Sequence, residues 1–337
     1  MTTRDTRLDS AKGILITLVV LGHFLEATNY WDDSLIRYLL TAIYAFHMPA
    51  FVFLAGITSK PDNVGKRIAV LVSLLVIFQC LYFAYLPFTA SNKQFEWADP
   101  FWMLWFLLGM VWWLVAIAIA QHSPRIALLF SVVVGLAGGA IPAVEYLPAL
   151  DRALYFLPWF MAGYVVGQPL FDKAARSSRA LTCTLLVTSV TLATVLWYLQ
   201  IGSGWLYGSN GFAVLDVSFD EGVLMRTLLM SIAIIMTWAM IASASVVKNV
   251  FVIAGKRSLA IYLLHGFFIL PVTPLLGEAF ERYGAAVAAL IGVVSSLLVI
   301  YILSLSVFDK SLRALGSRSA GLLLDTLKSV RKSVNVA

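Results

Sequence analysis

The chain has 337 residues, 61% of them hydrophobic and 12% charged, with a mean hydropathy of +0.88. Soluble domains carry about twice that charge, and apolar blocks here recur at lengths that cross roughly 30 Å of hydrocarbon, so the composition excludes a soluble globular domain. The net charge of +6 reads as basic loops meeting anionic lipid and not as a nucleic-acid footprint.

Apolar runs predict an all-α, polytopic membrane bundle of about ten helices. In chain order they fall near 11–30, 34–58, 68–89, 102–121, 126–145, 153–170, 180–199, 226–247, 252–273 and 284–307. The first run is too long and too closely followed by others to be a cleaved leader. The fifth contains GLAGGAIP (Gly135 to Pro142) and the sixth is short, so both are candidates for broken or tilted helices. Cys80 and Cys183 sit inside apolar runs and read as packed thiols, not a disulfide framework. The 26-residue connection 200–225 is long enough to fold over a site as a lid. The division is a transmembrane unit over 1–308 and a basic tail over 309–337, which mixes LLLDTLKSV with Lys328, Arg331 and Lys332 and reads as an interfacial amphipathic helix.

Charge placement orients the bundle. With ten crossings, 19 of the 24 Lys and Arg residues share a side with both termini, among them Arg4, Arg7, Lys12, Arg125 and Lys248. Arg37, Lys93, Arg152, Arg226 and Arg282 remain on the other. The positive-inside rule puts both termini in the cytoplasm, in the cytoplasmic (inner) membrane of the cell.

The first helix, LDSAKGILITLVVLGHFLEA from Leu8 to Ala27, carries Asp9, Lys12, His23 and Glu26. Ionisable groups at membrane depth are costly and face the bundle interior or a water-filled cavity. Lys12 and His23 are eleven residues apart, about 16 Å along the axis, and all four groups fall within an arc of roughly 100°. Gly22 beside His23 allows close approach of a ligand or a neighbouring helix. Three of the four histidines lie at membrane depth: His23, His47 and His265. His122 sits in a loop. Pro49 is expected to kink the second helix and free backbone carbonyls near His47. Ser258, Tyr262 and His265 follow i, i+4, i+7 spacing on the ninth helix. One polar chamber shared by three helices is the expectation.

Imidazole takes and returns protons, attacks acyl groups or binds metals. No pair of His or carboxylate residues stands at i, i+4 on one of these helices, so no metal is expected. P-loop, GxSxG and HExxH patterns are absent from the sequence, which removes the familiar nucleotide and hydrolase designs. A proton-coupled transporter or a flippase of lipid-linked glycans fits the same polar chamber, although no repeated halves are visible.

Five stretches carry a resemblance: LDSAKGILITLVVLGHF, FHMPAFVFLAGI, LWFLLGMVWW, FLPWFMAGYVVG and GKRSLAIYLLHGFF. In this order and spacing the chain resembles the membrane acyltransferase 3 family, in its branch similar to fucose 4-O-acetylase. The resemblance implies ten or so helices, cytoplasmic acetyl-CoA as donor, and a hydroxyl on an extracytoplasmic or lipid-linked sugar or glycolipid as acceptor. It implies that His23 is the catalytic base or acyl-transfer histidine, preceded by a basic residue, here Lys12, with ten residues between. Members outside the branch commonly have Arg there; Lys acts as a point charge and not as a bidentate fork.

By geometry, Glu26 orients or polarises His23. Lys12, Lys66, Arg67, Lys256 and Arg257 would meet the phosphates of coenzyme A from the cytoplasm. His47 and His265 would line the acceptor pocket or hold the acyl group. Asp9, Trp105, Tyr262 and Ser258 are the candidate substrate contacts, whereas Phe106 and Trp159 read as packing residues. Direct transfer and a covalent acyl-histidine both remain open, as do acetyl and other short acyl groups.

Overall fold

The computed structural model describes residues 5–28, 31–89, 91, 93–141, 147–244, 246–247 and 250–334, with side chains as far as 329. The expectations on Arg4, Pro142 and Lys248, and on the side chains of Arg331 and Lys332, lie outside these residues. Among the described residues the chain is all-α. Its helices are α1 (Thr6–Glu26), α2 (Ser34–Tyr44), α3 (His47–Thr58), α4 (Val64–Tyr85), α5 (Trp105–Ala120), α6 (Pro124–Ala137), α7 (Leu150–Ala175) and α8 (Arg179–Tyr198). They continue with α9 (Ser203–Tyr207), α10 (Phe219–Ala244), α11 (Val252–Lys256), α12 (Ser258–Leu264), α13 (Gly266–Tyr283), α14 (Ala285–Leu303) and α15 (Ser306–Val334).

Seven of these segments are long and apolar enough to cross a membrane, with α2 and α3 joined, and the bent pair α12–α13 makes an eighth. Each of the ten expected runs holds helix, though bounds and continuity differ in several places. The first helix begins at Thr6 and not near residue 11, because the Asp5 carboxylate caps it by accepting from the Arg7 backbone N–H at 2.9 Å. The fifth stops at Ala137 and tightens into a 3₁₀ turn over Gly138–Ala140. The sixth is not short: α7 runs 26 residues with Pro158 and Pro169 inside it. The ninth is three helices, not one.

Helix α1 is the axle of the bundle. Its side chains feed three separate apolar clusters: Ile16, Val20 and Phe24 in one, Leu25 in a second, Ala11 and Leu15 in a third. Outside its polar stripe α1 is apolar on every face, the pattern of a helix packed on several sides. In lipid the apolar effect does not drive helices together, and close backbone packing must do so. Accordingly α11 lies directly on α1: a Cβ at Gly255 would collide with the Asp9 carbonyl, and one at Gly13 with the Phe251 carbonyl. The outward faces carry the opposite pattern to a soluble protein, with Leu129 and Val133 of α6, Val187 of α8 and Leu290 and Val294 of α14 all exposed. Cys80 and Cys183 are free, and both are exposed on this outer surface and not packed inside, since their helices turn other faces to the core.

Contacts sort into two ends. At the Lys12 end, Arg7 pairs with Asp172 of α7 at 2.7 Å, Lys12 donates to Thr58 at 3.2 Å and Arg257 donates to the Ser304 carbonyl. At the Glu26 end, Arg37 of α2 donates to the Trp197 carbonyl and α9 meets the end of α1. The tail is one continuous helix, α15, whose Leu312 and Ala320 are buried while most of its other described side chains are exposed. Gly316 of α15 faces Val70 and Leu74 of α4.

Candidate active site

Two helix breaks prepare the chamber. Helix α2 ends at Tyr44 and α3 begins at His47, two residues before Pro49, which cannot donate to the carbonyl four residues back. His47 Nδ1 lies 2.9 Å from the Ile43 carbonyl oxygen. The second break lies at His265, where α12 and α13 meet at 47°. His265 Nδ1 lies 3.0 Å from the Ile261 carbonyl. Carbonyls released around this bend find hydroxyls: Tyr82 donates to Leu263 at 2.9 Å, and Tyr85 donates at 3.0 Å to Phe267, the carbonyl that Pro271 cannot serve. A carbonyl only accepts, so both histidines carry their proton on Nδ1 and present Nε2 as a lone pair.

His23 is held by a different contact. Its Nδ1 stands 3.1 Å from Glu26 Oε2, one turn along α1, and the carboxylate accepts from it. Glu26 is the last residue of α1, where the helix dipole disfavours a carboxylate. It is held there by donors on both oxygens, because Tyr207 of α9 donates its hydroxyl to Oε1. Tyr207 in turn accepts from Trp31 Nε1 at 2.8 Å. Burial, and next the charge of Glu26, push the Tyr207 phenol well above the ordinary tyrosine range, so it remains a donor. The relay Trp31–Tyr207–Glu26–His23 orients one imidazole, with Nδ1 toward Glu26 and Nε2 on the far side of the ring.

Aromatic rings fix the other faces. Trp102 meets the His23 ring edge-on at 4.8 Å between centroids, and His265 lies 5.4 Å away on another side. Trp102 stands at φ 46°, a conformation L residues rarely adopt. Gln79 of α4 holds the segment before it, donating to the Asp99 carbonyl at 2.7 Å and the Glu96 carbonyl at 3.1 Å and accepting from the Phe101 N–H at 2.8 Å. Tyr44 packs edge-on against both His47 and Tyr207, and occupies the space that Gly22 leaves beside His23.

These groups line a cavity of about 600 Å³ with His23, Glu26, His47, Trp105, Arg152 and Tyr262 in its wall. A second, smaller cleft of about 170 Å³ opens at the Lys12 end, lined by Lys12, Thr58, Arg67, Phe106, Ser258 and Tyr262. Tyr262 belongs to both walls. Its ring packs edge-on with Phe106, and its hydroxyl donates to the Met103 carbonyl. It is the side chain that lines both spaces.

Of the residues singled out from the sequence, His23, Glu26, His47, Trp105 and Tyr262 come together at the cavity, and Lys12, Arg67 and Ser258 at the cleft. Asp9 is buried beside α11 and lines neither space. His265 is fully buried behind His23 and does not reach the cavity wall, and its Nε2 has no hydrogen-bond partner among the described residues. Lys66 and Lys256 are exposed outside the cleft, and Arg257 is held by Ser304. Trp159 packs in a core cluster and Phe106 beside Tyr262. The sequence reading missed Trp31, Tyr44, Trp102, Lys93, Arg152 and Tyr207, although the 200–225 connection was marked as a lid and α9, which supplies Tyr207, lies within it. Among the described residues no group of three His, Cys, Asp or Glu side chains is placed to hold a metal.

Comparison with known proteins gives the family. Residues 5–305 match the acyltransferase domain family. Over 293 residues the chain is 28% identical to Nodulation protein NolL of Sinorhizobium fredii (strain NBRC 101917 / NGR234), covering 78% of this chain and 77% of that protein. Nodulation protein NolL of Mesorhizobium japonicum (strain LMG 29417 / CECT 9101 / MAFF 303099) is 26% identical over 290 residues, covering 78% and 76%. No solved structure matches. With a match that spans from the cap of α1 to the start of the tail helix, the chain belongs to the acyltransferase domain family.

Proposed function

We propose that this membrane acyltransferase moves an acetyl group from acetyl-CoA to a hydroxyl of a sugar or glycolipid bound in the 600 Å³ cavity. Ten crossings with both termini in the cytoplasm suit the two-ended contact pattern and the distribution of Lys and Arg. On that orientation the smaller cleft faces the cytoplasm, where acetyl-CoA is found, and the cavity faces the opposite leaflet. Lys12 and Arg67 in the cleft wall, with exposed Lys66 and Lys256 outside it, suit the phosphates of coenzyme A. The acyl-bearing arm then passes Tyr262 to reach His23.

The observation that carries this reading is the contact of His23 with Glu26 inside a cavity that shares Tyr262 as a wall residue with the basic cleft. His23 Nε2 takes the proton of the acceptor hydroxyl as its oxygen attacks the thioester carbonyl. Glu26 stabilises the imidazolium that forms. Collapse of the tetrahedral intermediate breaks the C–S bond, and the departing thiolate takes the proton back from His23. The direct route needs no acyl-enzyme, so double-reciprocal plots with both substrates varied intersect; parallel lines would mark an acyl-histidine.

The test is free-thiol release from acetyl-CoA by the full chain in nanodiscs, with and without a pool of membrane glycolipids. Release that depends on the pool, with an acetyl mass increment on one of its components, supports the proposal. Neither binding nor turnover of acetyl-CoA by the folded protein would sink it.

A further inference from the structure

Five cations were assigned to the Glu26 end, the side that membrane proteins keep poor in positive charge. Three have structural partners. Arg37 donates to the Trp197 carbonyl at 3.1 Å, Arg226 donates to the Gly135 and Asn210 carbonyls at 2.9 and 3.3 Å, and Arg282 lies over the Tyr283 ring. Lys93 and Arg152 share Arg282's kind of aromatic contact but differ from all three in place. Both line the large cavity.

Each lies against a tryptophan of the same wall. Lys93 Nζ is 4.4 Å from the centre of the Trp102 ring, and Arg152 Cζ is 5.0 Å from that of Trp105, three residues on. Among the described residues neither head group forms an ion pair or a side-chain hydrogen bond. The carboxylates nearby are otherwise engaged: Glu26 by His23 and Tyr207, and Asp151 by the Arg152 backbone N–H at 2.6 Å. Asp32 lies exposed in the cavity wall, an acceptor suited to a sugar hydroxyl. A cation on an aromatic face keeps its N–H edge available to a ligand. Arg152 is half-buried and Lys93 exposed, and Asp151 and Glu26 attract them without direct pairing, so an incoming anion supplies a contact that neither head group has.

We propose that Lys93 and Arg152 form an anion subsite in the acceptor cavity, which selects a glycan bearing a carboxylate or phosphate close to the hydroxyl that is acylated. The inference rests on the acyltransferase reading, whose acceptor it narrows. Trp102 and Trp105 serve the pair twice, by holding each cation and by offering the flat surface on which a sugar ring packs.

Binding without turnover tests it. The full chain in phosphatidylcholine nanodiscs is titrated calorimetrically with methyl glucoside, methyl glucuronide and glucose 6-phosphate, beside empty nanodiscs. The glucuronide or the phosphate binds about tenfold or more tightly than the neutral glucoside, and whichever does so distinguishes carboxylate from phosphate. Raising sodium chloride from about 50 mM to about 500 mM reduces that preference, as does the double substitution Lys93→Gln with Arg152→Gln. Equal affinity for all three probes in the wild type overturns the subsite. So does a preference indifferent to salt, which decides the matter even if the double variant fails to fold. Failure of the acyltransferase reading is separately visible, as an anion preference in a protein that never releases thiol from acetyl-CoA.

Discussion

His23 Nδ1 and Glu26 Oε2 stand 3.1 Å apart on the last turn of α1, and Tyr207 from a separate helix closes on the other carboxylate oxygen. The pair gives the imidazole one orientation, with Nδ1 toward the carboxylate, before any substrate arrives. Glu26→Gln keeps the shape and removes the charge that stabilises the imidazolium. Its kcat is expected to fall about 10²–10⁴-fold with the KM for acetyl-CoA little changed, measured as thiol release under saturating acceptor.

Tyr207→Phe deletes only the hydroxyl that Glu26 accepts from. A lost hydrogen bond to a charged group is worth about 1.5–3 kcal/mol, part of which falls on the transition state. A decrease in kcat of about tenfold is expected, with the helical circular dichroism spectrum retained. Trp31→Phe, one bond further along the relay, lowers kcat less than Tyr207→Phe does.

Tyr262 lines both spaces, so its size is expected to matter more than its hydroxyl. Tyr262→Ala is expected to open the cleft toward the cavity and admit water to the donor thioester. Thiol release without acceptor should rise several-fold over the wild type, while Tyr262→Phe keeps the ring and the low background. A background in Tyr262→Ala equal to the wild type would show that the ring is not the barrier.

Gln79 fastens the segment that delivers Trp102 to His23. Gln79→Leu leaves two carbonyls and the Phe101 N–H without their partner, at a cost of about 1–3 kcal/mol for each buried group that water does not reach. A lower midpoint of thermal unfolding and a raised acceptor KM are expected, with the KM for acetyl-CoA preserved.

What the sequence made legible follows from which contacts are local. His23 and Glu26 sit one turn apart, so their pairing is readable from spacing alone. Pro49 announced the break before His47 because a proline cannot serve the carbonyl four residues back. The bend at His265 was hidden: Pro271 and Pro274 lie downstream of it, and the compensating hydroxyls come from Tyr82 and Tyr85 on another helix. Tyr207, Trp102, Lys93 and Arg152 escaped for the same reason, since each reaches the site through tertiary packing that no periodicity records. Cys80 and Cys183 were misplaced because an apolar helix in a membrane has an outward face as apolar as its inward one.

The most direct measurement is transfer of radiolabelled acetyl from acetyl-CoA into the glycolipid fraction by the wild type and by His23→Ala, in matched nanodiscs with acetyl-CoA binding measured in parallel. The account predicts label in the glycolipid for the wild type, and none above background for His23→Ala although it still binds acetyl-CoA. Transfer by His23→Ala at the wild-type rate would remove His23, and with it the relay to Glu26 and Tyr207, from the reaction.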